Sequence, residues 1–495
     1  MKRSYFYVLP LVMMLSGCSH TVPKSCLSKD PYPRPQSVCS KSDPIKVGAI
    51  PHREPLQART GKRSLADILL NLIDTNPDIG IAGAKEKEQN AGIMVAKAAG
   101  RPTVDLYVSG GPQQIFWPEP AGDAMRKEAS VSVRQVLYDF GAIKSDVKRA
   151  QSMLDSATSG RIAKTEEIAL DMLNAFLDVR QADEMISVTR DNIAAHQNIL
   201  NLVELREQNG NGTVADVKRI TTRLESSKAA LIDLTTKRAD AVAKFENIAQ
   251  TDVDDIDASV LTRLKGDAEK IDMAIIEKNP SIVALQQEIS AIEYQLASVK
   301  AEKLPVFGLQ ATAKASQNVS SPEDGDNQLS VYGLVTMRVS VFDGGLNDGK
   351  QAQIRSRLEM TRLKLEKERR SLWEDAQNVQ RVTSSDGARS GSLEERVAAS
   401  KKVADLNLEQ FKNGAKSVFE LLDGQADYFK AKGELIEQDY NRKKAQIRAL
   451  QLRGELVLGL LGLSPRQTPQ PVIPKTLEPT EMQGLVSLPG VKARS

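Results

Sequence analysis

LLNLIDTNPDIGIAGAKEKEQNAGIMVAKAAGRPTVDLYVSG (69–110) and AIIEKNPSIVALQQEISAIEYQLASVKAEKLPVFGLQATA (274–313) are two copies of one pattern. Asn76-Pro77 falls on Asn279-Pro280 and Pro102 on Pro305, both at a step of 203. VSVRQVLYDFG (131–141) then matches VTMRVSVFDGG (335–345), with Arg134 on Arg338 and Asp139 on Asp343. REQNGNGTVADV (206–217) matches QFKNGAKSVFELL (410–422), with Asn209-Gly210 on Asn413-Gly414 and Thr213 on Ser417. These last steps are all 204, so one single-residue indel separates two copies of a long unit. A period near 200 residues is far beyond the 20–50 of solenoids and propellers. The chain is a duplicated domain whose halves share one wall or one axis.

Each copy reads in the same order. Ser64 precedes Leu65, Leu69, Leu72 and Ile73 at helical spacing and can cap that helix. The helix runs, interrupted at Pro77, to about Ala99, and Gly100-Arg101-Pro102 ends it. TVDLYVSGG (103–111) and EASVSVRQVLY (128–138) alternate as strands around the loop GPQQIFWPEPAGDAMRK. In the second copy VFGLQATAKA (306–315) and LSVYGLVTMRVSV (329–341) flank the polar loop SQNVSSPEDGDNQ. These strands have the length of tilted membrane strands, about 9–11 residues. From Ile143 to Asn209 there is no Pro and one Gly, Gly160, which predicts a helix near 100 Å long at about 1.5 Å per residue. Gly349 to Lys412 is a second such run, with Gly387 and Gly391 as weak points. After each Asn-Gly the chain turns and returns helically, to about Gln250 and Gly462. Helices of this length suggest coiled-coil-like packing, far above the usual 11–12 residues.

The remaining segments set the context. Lys2-Arg3, an apolar run from Tyr5 to Leu15 and then Leu15-Ser16-Gly17-Cys18 form a secretory signal, too short to span a bilayer. Leu-Ser-Gly-Cys resembles the bacterial lipobox, which implies acylation of Cys18; an ordinary signal peptide is the alternative. Cys26 and Cys39 are then an even pair in an exported context, a disulfide or two free thiols in a linker. The segmentation is 1–17 signal, 18–63 Pro/Ser-rich linker, 64–250 first repeat, 251–266 equatorial linker, 267–463 second repeat and 464–495 Pro-rich tail. The 67 basic and 64 acidic residues nearly cancel, so no nucleic-acid partner is implied. Aromatics at 4% fit narrow helical seams better than large globular cores. No apolar run after the signal reaches 18 residues, so a membrane span must be made of β-strands.

No enzyme constellation and no cofactor motif is present. His20 and His52 fall in the linker, and His196 reads as a surface residue of a long helix. No Walker-type phosphate loop occurs, so energy must come from a partner. Phe116 and Trp117 suit either an aromatic anchor at the lipid interface or a loop contact. Four strands cannot close a barrel, which takes about eight. Several chains must therefore share one, with the helices continuing it as a tube.

In this order the paired Asn-Pro helices, the strand ends Leu137-Tyr138-Asp139-Phe140-Gly141 and Val341-Phe342-Asp343-Gly344-Gly345, the two Asn-Gly tips and the stretch Leu450–Leu463 resemble the TolC family of outer-membrane channel-tunnels. The resemblance covers about residues 64–463. It implies a mixed α and membrane-β fold: long helical hairpins forming a periplasmic tunnel, and four strands per chain in a shared 12-stranded barrel. It also implies a homotrimer in outer-membrane lipid, a periplasmic adaptor, and an inner-membrane ABC or RND transporter. On residues alone a dimer would close eight strands too. The function implied is an exit duct. Leu-Tyr-Asp-Phe-Gly looks like type I protein secretion, whereas the lipobox looks like drug or metal efflux. A non-conducting coiled-coil lipoprotein is the reading of another class, and four barrel-length strands speak against it.

The same resemblance assigns a periplasmic gate. It places Glu420 and Asp423 as pore-lining acids and Lys416 as the tie to Asp216 of the first tip. Phe411 stands where the family often has Tyr, and Lys416 where Arg is usual, which implies a looser gate because a bidentate fork is lost. From the residues alone, Glu420 and Asp423 are also a solvated acidic pair beside a helix start. A crowded ring of these acids would raise some of their pKa values.

Overall fold

The computed structural model describes residues 63–115, 122–253, 256–257, 271–319 and 325–463. In order these form β1 (Arg63–Ser64), α1 (Leu65–Thr75), α2 (Pro77–Ala98), β2 (Thr103–Ile115), β3 (Gly122–Tyr138), α3 (Ala142–Gln208) and α4 (Val214–Ala249). There follow β4 (Ile256–Asp257), α5 (Met273–Ile276), α6 (Pro280–Ala301), β5 (Val306–Val319), β6 (Gly325–Arg338), α7 (Leu346–Lys412), α8 (Val418–Arg453) and α9 (Leu456–Leu460).

The duplication is written in the caps. Asn76 and Asn279 each accept backbone N–H bonds at the start of a 22-residue helix whose first residue is Pro. Asp139 and Asp343 each accept from the N–H two residues on and four residues on, turning a strand end into a helix start. Gly141 and Gly345 follow with φ near +88° and +87°, a conformation that suits glycine. α3 and α7 are then 67 residues each, and α4 and α8 are 36 each. Asn347 and Gly349, inside the second helix start, do not interrupt it.

The long helices change neighbours midway. Near the sheet, α3 packs on α2 and α6, as in Arg161 to Glu86 at 2.6 Å and Ser298 Oγ donating to the Ala142 carbonyl at 3.1 Å. Further down it packs on α4 and α8, as in Arg238 to Asp183 at 2.5 Å and Lys444 to Asp178 at 2.6 Å. α7 makes the same exchange from α6 to α8. The largest core sits where the exchange occurs. Leu65, Leu69 and Leu72 of α1 meet Met172, Leu173, Phe176 and Leu177 of α3, Phe245 of α4, and Leu456 and Leu460 of α9. Phe176 and Phe245 lie 5.9 Å apart, centroid to centroid.

Glu166 of α3 is buried there at 3% exposure and accepts the Leu456 and Val457 N–H groups, each at 3.1 Å. Burial outweighs these bonds and pushes its pKa up to about 7.

Three expectations are corrected. The returning helix of the second repeat stops at Arg453, not near Gly462. Gly454 adopts φ +70°, and a Cβ there would lie 2.8 Å from Pro280 Cδ, so the stretch Leu450–Leu463 is split into the end of α8 and the short α9. The strands run further into the hairpins than their alternation indicated, because ladder pairing continues through Gly-Pro-Gln-Gln and Gly-Asp-Ala-Met-Arg-Lys. His196 is not on the surface. It is 4% exposed in the α3–α4 seam, with Nδ1 3.1 Å from Ser227 Oγ, and burial lowers its pKa.

Candidate functional site

Two regions carry functional geometry: the sheet at one end of the long helices and the tips at the other.

The sheet has the order β2-β3-β5-β6, antiparallel throughout. Directly paired residues share a face. One face carries the rows Val104–Val133–Ala311–Gly333 and Leu106–Val131–Ala313–Val331. Val104, Leu106, Val108, Val331 and Val335 on it are each at least 67% exposed. The other face carries Thr103–Arg134–Gln310–Leu334, Asp105–Ser132–Thr312–Tyr332 and Tyr107–Ser130–Lys314–Ser330. It holds the ion pairs Arg134–Asp105 at 2.6 Å and Lys314–Glu128 at 3.0 Å. An uncovered aliphatic face backed by a polar, ion-paired one suits a wall between lipid and water. β2, at 13 residues, is about 43 Å long and spans about 30 Å at a 45° tilt, the thickness of a bilayer's hydrocarbon core. Both edges, β2 and β6, are open. Among the described residues no helix is long and apolar enough to cross a membrane.

At the far end the two tips share one turn. Asn209 and Asn413 end their helices, Gly210 and Gly414 take φ +72° and +79°, and Asn211 and Ala415 donate back to the Arg206 and Gln410 carbonyls at 2.8 Å. Thr213 with Asp216, and Ser417 with Glu420, close reciprocal capping boxes on the returning helices.

The four candidate gate residues lie at and beside these boxes. Within the chain Lys416 does not meet Asp216. Asp216 is held by its own cap, accepting from Thr213 Oγ1 at 2.7 Å. Lys416 Nζ lies 2.7 Å from Glu420 Oε1, one helical turn away, because i,i+4 spacing places it there. Glu420 Oε2 also accepts from the Ser417 N–H and hydroxyl, and with Lys416 these bonds hold its pKa down to about 2. Asp423 is exposed, with no side-chain bond or ion pair among the described residues.

The tips are joined by a residue that the sequence did not single out. Arg206, in the last turn of α3, donates from Nη1 to the Phe411 carbonyl at 2.9 Å, and its guanidinium lies 4.7 Å from the Phe411 ring centroid. Phe411 is 3% exposed among Ile199, Val203, Ile220, Val418, Leu421 and Leu422. Phe411 thus tightens this junction, and the guanidinium absent at Lys416 is supplied by the opposite tip. The available signal was a lone Arg in the turn before Asn-Gly, a position where cations also suit the helix dipole. Cys18, Cys26, Cys39, Phe116 and Trp117 lie outside the described residues.

The fold and both regions define a membrane channel with a helical tunnel, and comparison with known proteins gives the class a family. The profile of the outer membrane efflux protein family matches residues 69–249 and 273–455, which are the two repeats. The chain belongs to that family. It is 21% identical to the outer membrane efflux protein BepC of Brucella suis over 82% of this chain and 90% of that one. It is 22% identical to the alkaline protease secretion protein AprF of Pseudomonas aeruginosa, over 63% and 66%. It is 20% identical to the toluene efflux pump outer membrane protein TtgF of Pseudomonas putida, over 91% and 97%. Among solved structures, VceC of Vibrio cholerae superposes with a TM-score of 0.69 at 14% identity, over 79% of this chain and 96% of that one. CusC superposes at 0.68 and 14%, over 80% and 95%. The protein is an outer-membrane factor of efflux or secretion systems, with its helical tunnel in the periplasm.

Proposed function

We propose that this chain is the outer exit duct of a tripartite export system. Three copies close a 12-stranded barrel, and a periplasmic adaptor joins their tips to an inner-membrane ABC or RND transporter. The observation that carries this reading is the four-stranded sheet, apolar on one face and polar on the other, with two open edges above helices of 67 residues. An open edge is not tolerated in lipid, so the edges must be paired. Four strands with an even alternation of direction pair edge to edge without conflict when copies are added.

The cargo we assign is protein, exported by a type I system. The wording Leu137-Tyr138-Asp139-Phe140-Gly141 and the likeness to a protease secretion protein support it. A second reading, small-molecule efflux, is supported by the likeness to TtgF along nearly its whole length. Deleting the gene separates them. Loss of an exported protein with unchanged drug and solvent susceptibility is expected. Hypersensitivity with an intact exported protein profile selects the second reading. Absence of conductance in planar bilayers overturns both and leaves a structural lipoprotein.

The Glu420 and Asp423 carboxylates are proposed to collect cations at the periplasmic mouth of the assembled duct, since clustered like charges raise local counter-ion concentration. Multivalent cations added on the tip side should block current, and replacing both acids with Ala should remove most of the block. A double variant that blocks like the parent would leave them as solvated helix-face charges.

A further inference from the structure

Between the tip cluster and the large core, α3, α4 and α8 enclose a cleft of about 280 Å³. That is close to the lower end of the range for ligand pockets, about 300 Å³. Part of its lining is apolar, with Met185 and Val188 of α3 and Phe429 of α8. Three polar side chains are set into it, Asn192 and His196 of α3 and Ser227 of α4. Arg223 of α4 and Lys430 of α8 also line it, and no Asp or Glu does. We propose that this cleft binds a small organic anion with an apolar body and a hydrogen-bond donor. Arg223 and Lys430 hold its charged end, and Asn192 and His196 accept from its donor.

The hydrogen bonds in the cleft leave acceptors over. Ser227 Oγ has one proton and donates it to the Arg223 carbonyl at 3.0 Å. It therefore accepts from Asn192 Nδ2 at 3.3 Å and from His196 Nδ1 at 3.1 Å. Burial and the Arg223 charge lower the His196 pKa, so the ring is neutral, with its proton on Nδ1 and an acceptor at Nε2. Asn192 Oδ1 is buried and has no partner among the described residues. Turning the amide over would move the orphan to Nδ2 without removing it, because the Ser227 proton is already committed. A buried acceptor without a donor is costly, so a ligand that brings one gains affinity.

The cations are unmatched in the same way. Among the described residues neither Arg223 nor Lys430 has an ion pair. Lys432, two residues on, meets Asp191 at 3.1 Å across the same two helices, α8 and α3. The duplicated backbone requires none of this. For Asn192, His196, Arg223 and Ser227 the second repeat has Arg396, Ser400, Asp427 and Ala431. Arg396 is there tied to Glu434 in an ion pair. The polar cluster is thus a property of the first hairpin and not of the shared shape. Because α8 comes from the other repeat, an occupant of the cleft bridges the two hairpins and stabilises the folded chain by binding it.

The probe is hippurate, which joins a carboxylate, one amide N–H and a phenyl ring. It is titrated into the full-length protein purified in detergent, with binding read by saturation-transfer NMR and by thermal unfolding. A ligand of this size should reach a dissociation constant of about 1 mM or tighter. Saturable binding and a rise in unfolding temperature are expected. Hippuramide, which is uncharged, should bind about tenfold more weakly, and benzoylsarcosine, which lacks the N–H, more weakly than hippurate. Arg223→Gln with Lys430→Gln, both at exposed positions, should weaken hippurate about tenfold or more and leave the unfolding temperature of the free protein unchanged. Ala426→Trp, at an exposed position of the lining, fills the cleft without removing a polar group and should abolish binding. Binding that persists in both variants would place hippurate on another surface or in detergent and overturn the site. Hippuramide binding as tightly as hippurate would overturn the anion, and benzoylsarcosine binding as tightly would overturn the donor. No saturation of the parent protein at several millimolar would overturn the proposal and leave the cleft to water.

Discussion

The two repeats share a backbone and diverge in what their side chains hold. Helix lengths, Asn-Pro starts, strand-end aspartates and tip turns coincide. The cores do not. Leu173, Phe176 and Val179 of α3 are buried, and their equivalents in α7 are Gln377, Gln380 and Thr383. α3 packs mainly on α2, α4, α6 and α8, while α7 packs mainly on α6 and α8 and touches the short α5. At the tips Arg206 and Glu207 of the first repeat stand where the second has Gln410 and Phe411, so one tip supplies the guanidinium and the other the ring. Caps and turns reproduce a shape from a few positions. Burial then assigns the copies different work, with α3 the spine of the chain and α7 a flank with one side unpacked.

Removing the asymmetry at the tips should have the largest effect. Phe411→Ala deletes a buried aromatic and should destabilise the junction by about 3–5 kcal/mol, read as faster proteolysis at the tips and a higher resting conductance. Gln410→Arg, which copies the first repeat, should not restore it. If Phe411→Ala leaves both readouts unchanged, the tips are held by contacts outside this cluster.

Next comes Glu166, whose equivalent in the second repeat is the exposed Arg370. Its folded pKa of about 7 lies above the ordinary value of 4.5. Between those values the folded chain binds a proton that the unfolded chain has released. The stabilisation is therefore complete below about pH 4.5 and lost as pH rises through 7, amounting to about 3 kcal/mol. Glu166→Gln should flatten the thermal stability profile over that window. A profile with the parent's slope would remove Glu166 as its source.

The caps provide an internal control. Thr213→Ala and Ser417→Ala each remove one capping box and should cost about 1 kcal/mol apiece, equally for the two tips. Unequal losses in hydrogen exchange at α4 and α8 would mean that the tips are less alike than their bonds. The smallest effect belongs to Lys416→Glu, which breaks an exposed, solvent-screened pair. Asp216→Lys should not compensate it, because Asp216 is engaged by its own cap. Restoration of the resting conductance by that second change would instead place the contact between copies.

The fold was legible because it rests on signals local in sequence. Asn-Pro, Asp followed by Gly-rich turns, and Asn-Gly each fix backbone geometry within a few residues, and each occurs twice. The single indel is also located by structure. Thr103↔Arg134 and Val306↔Arg338 keep both steps, and neither hairpin ladder has a shift, so the extra residue lies at the hairpin turn. What sequence reading lost were contacts between distant helices. His196 gives no periodic signal of its seam partner Ser227, 31 residues away. Arg206 reaches Phe411 across 205 residues. The end of α8, by contrast, carried a local mark: Gly454 takes φ +70° as its cap.

The contact between Glu166 and the N–H groups of Leu456 and Val457 spans 290 residues and more. A chain emerging on the far side of a membrane delivers Glu166 long before it delivers α9. Until then α1, α3 and α4 can assemble only around an acid without its two donors. Arrival of residues 456–460 supplies those donors and seals the waist with Leu456 and Leu460. A product truncated before residue 456 should therefore be left with an open core at this level and a buried acid without its two donors, which faster limited proteolysis than that of the full chain would report.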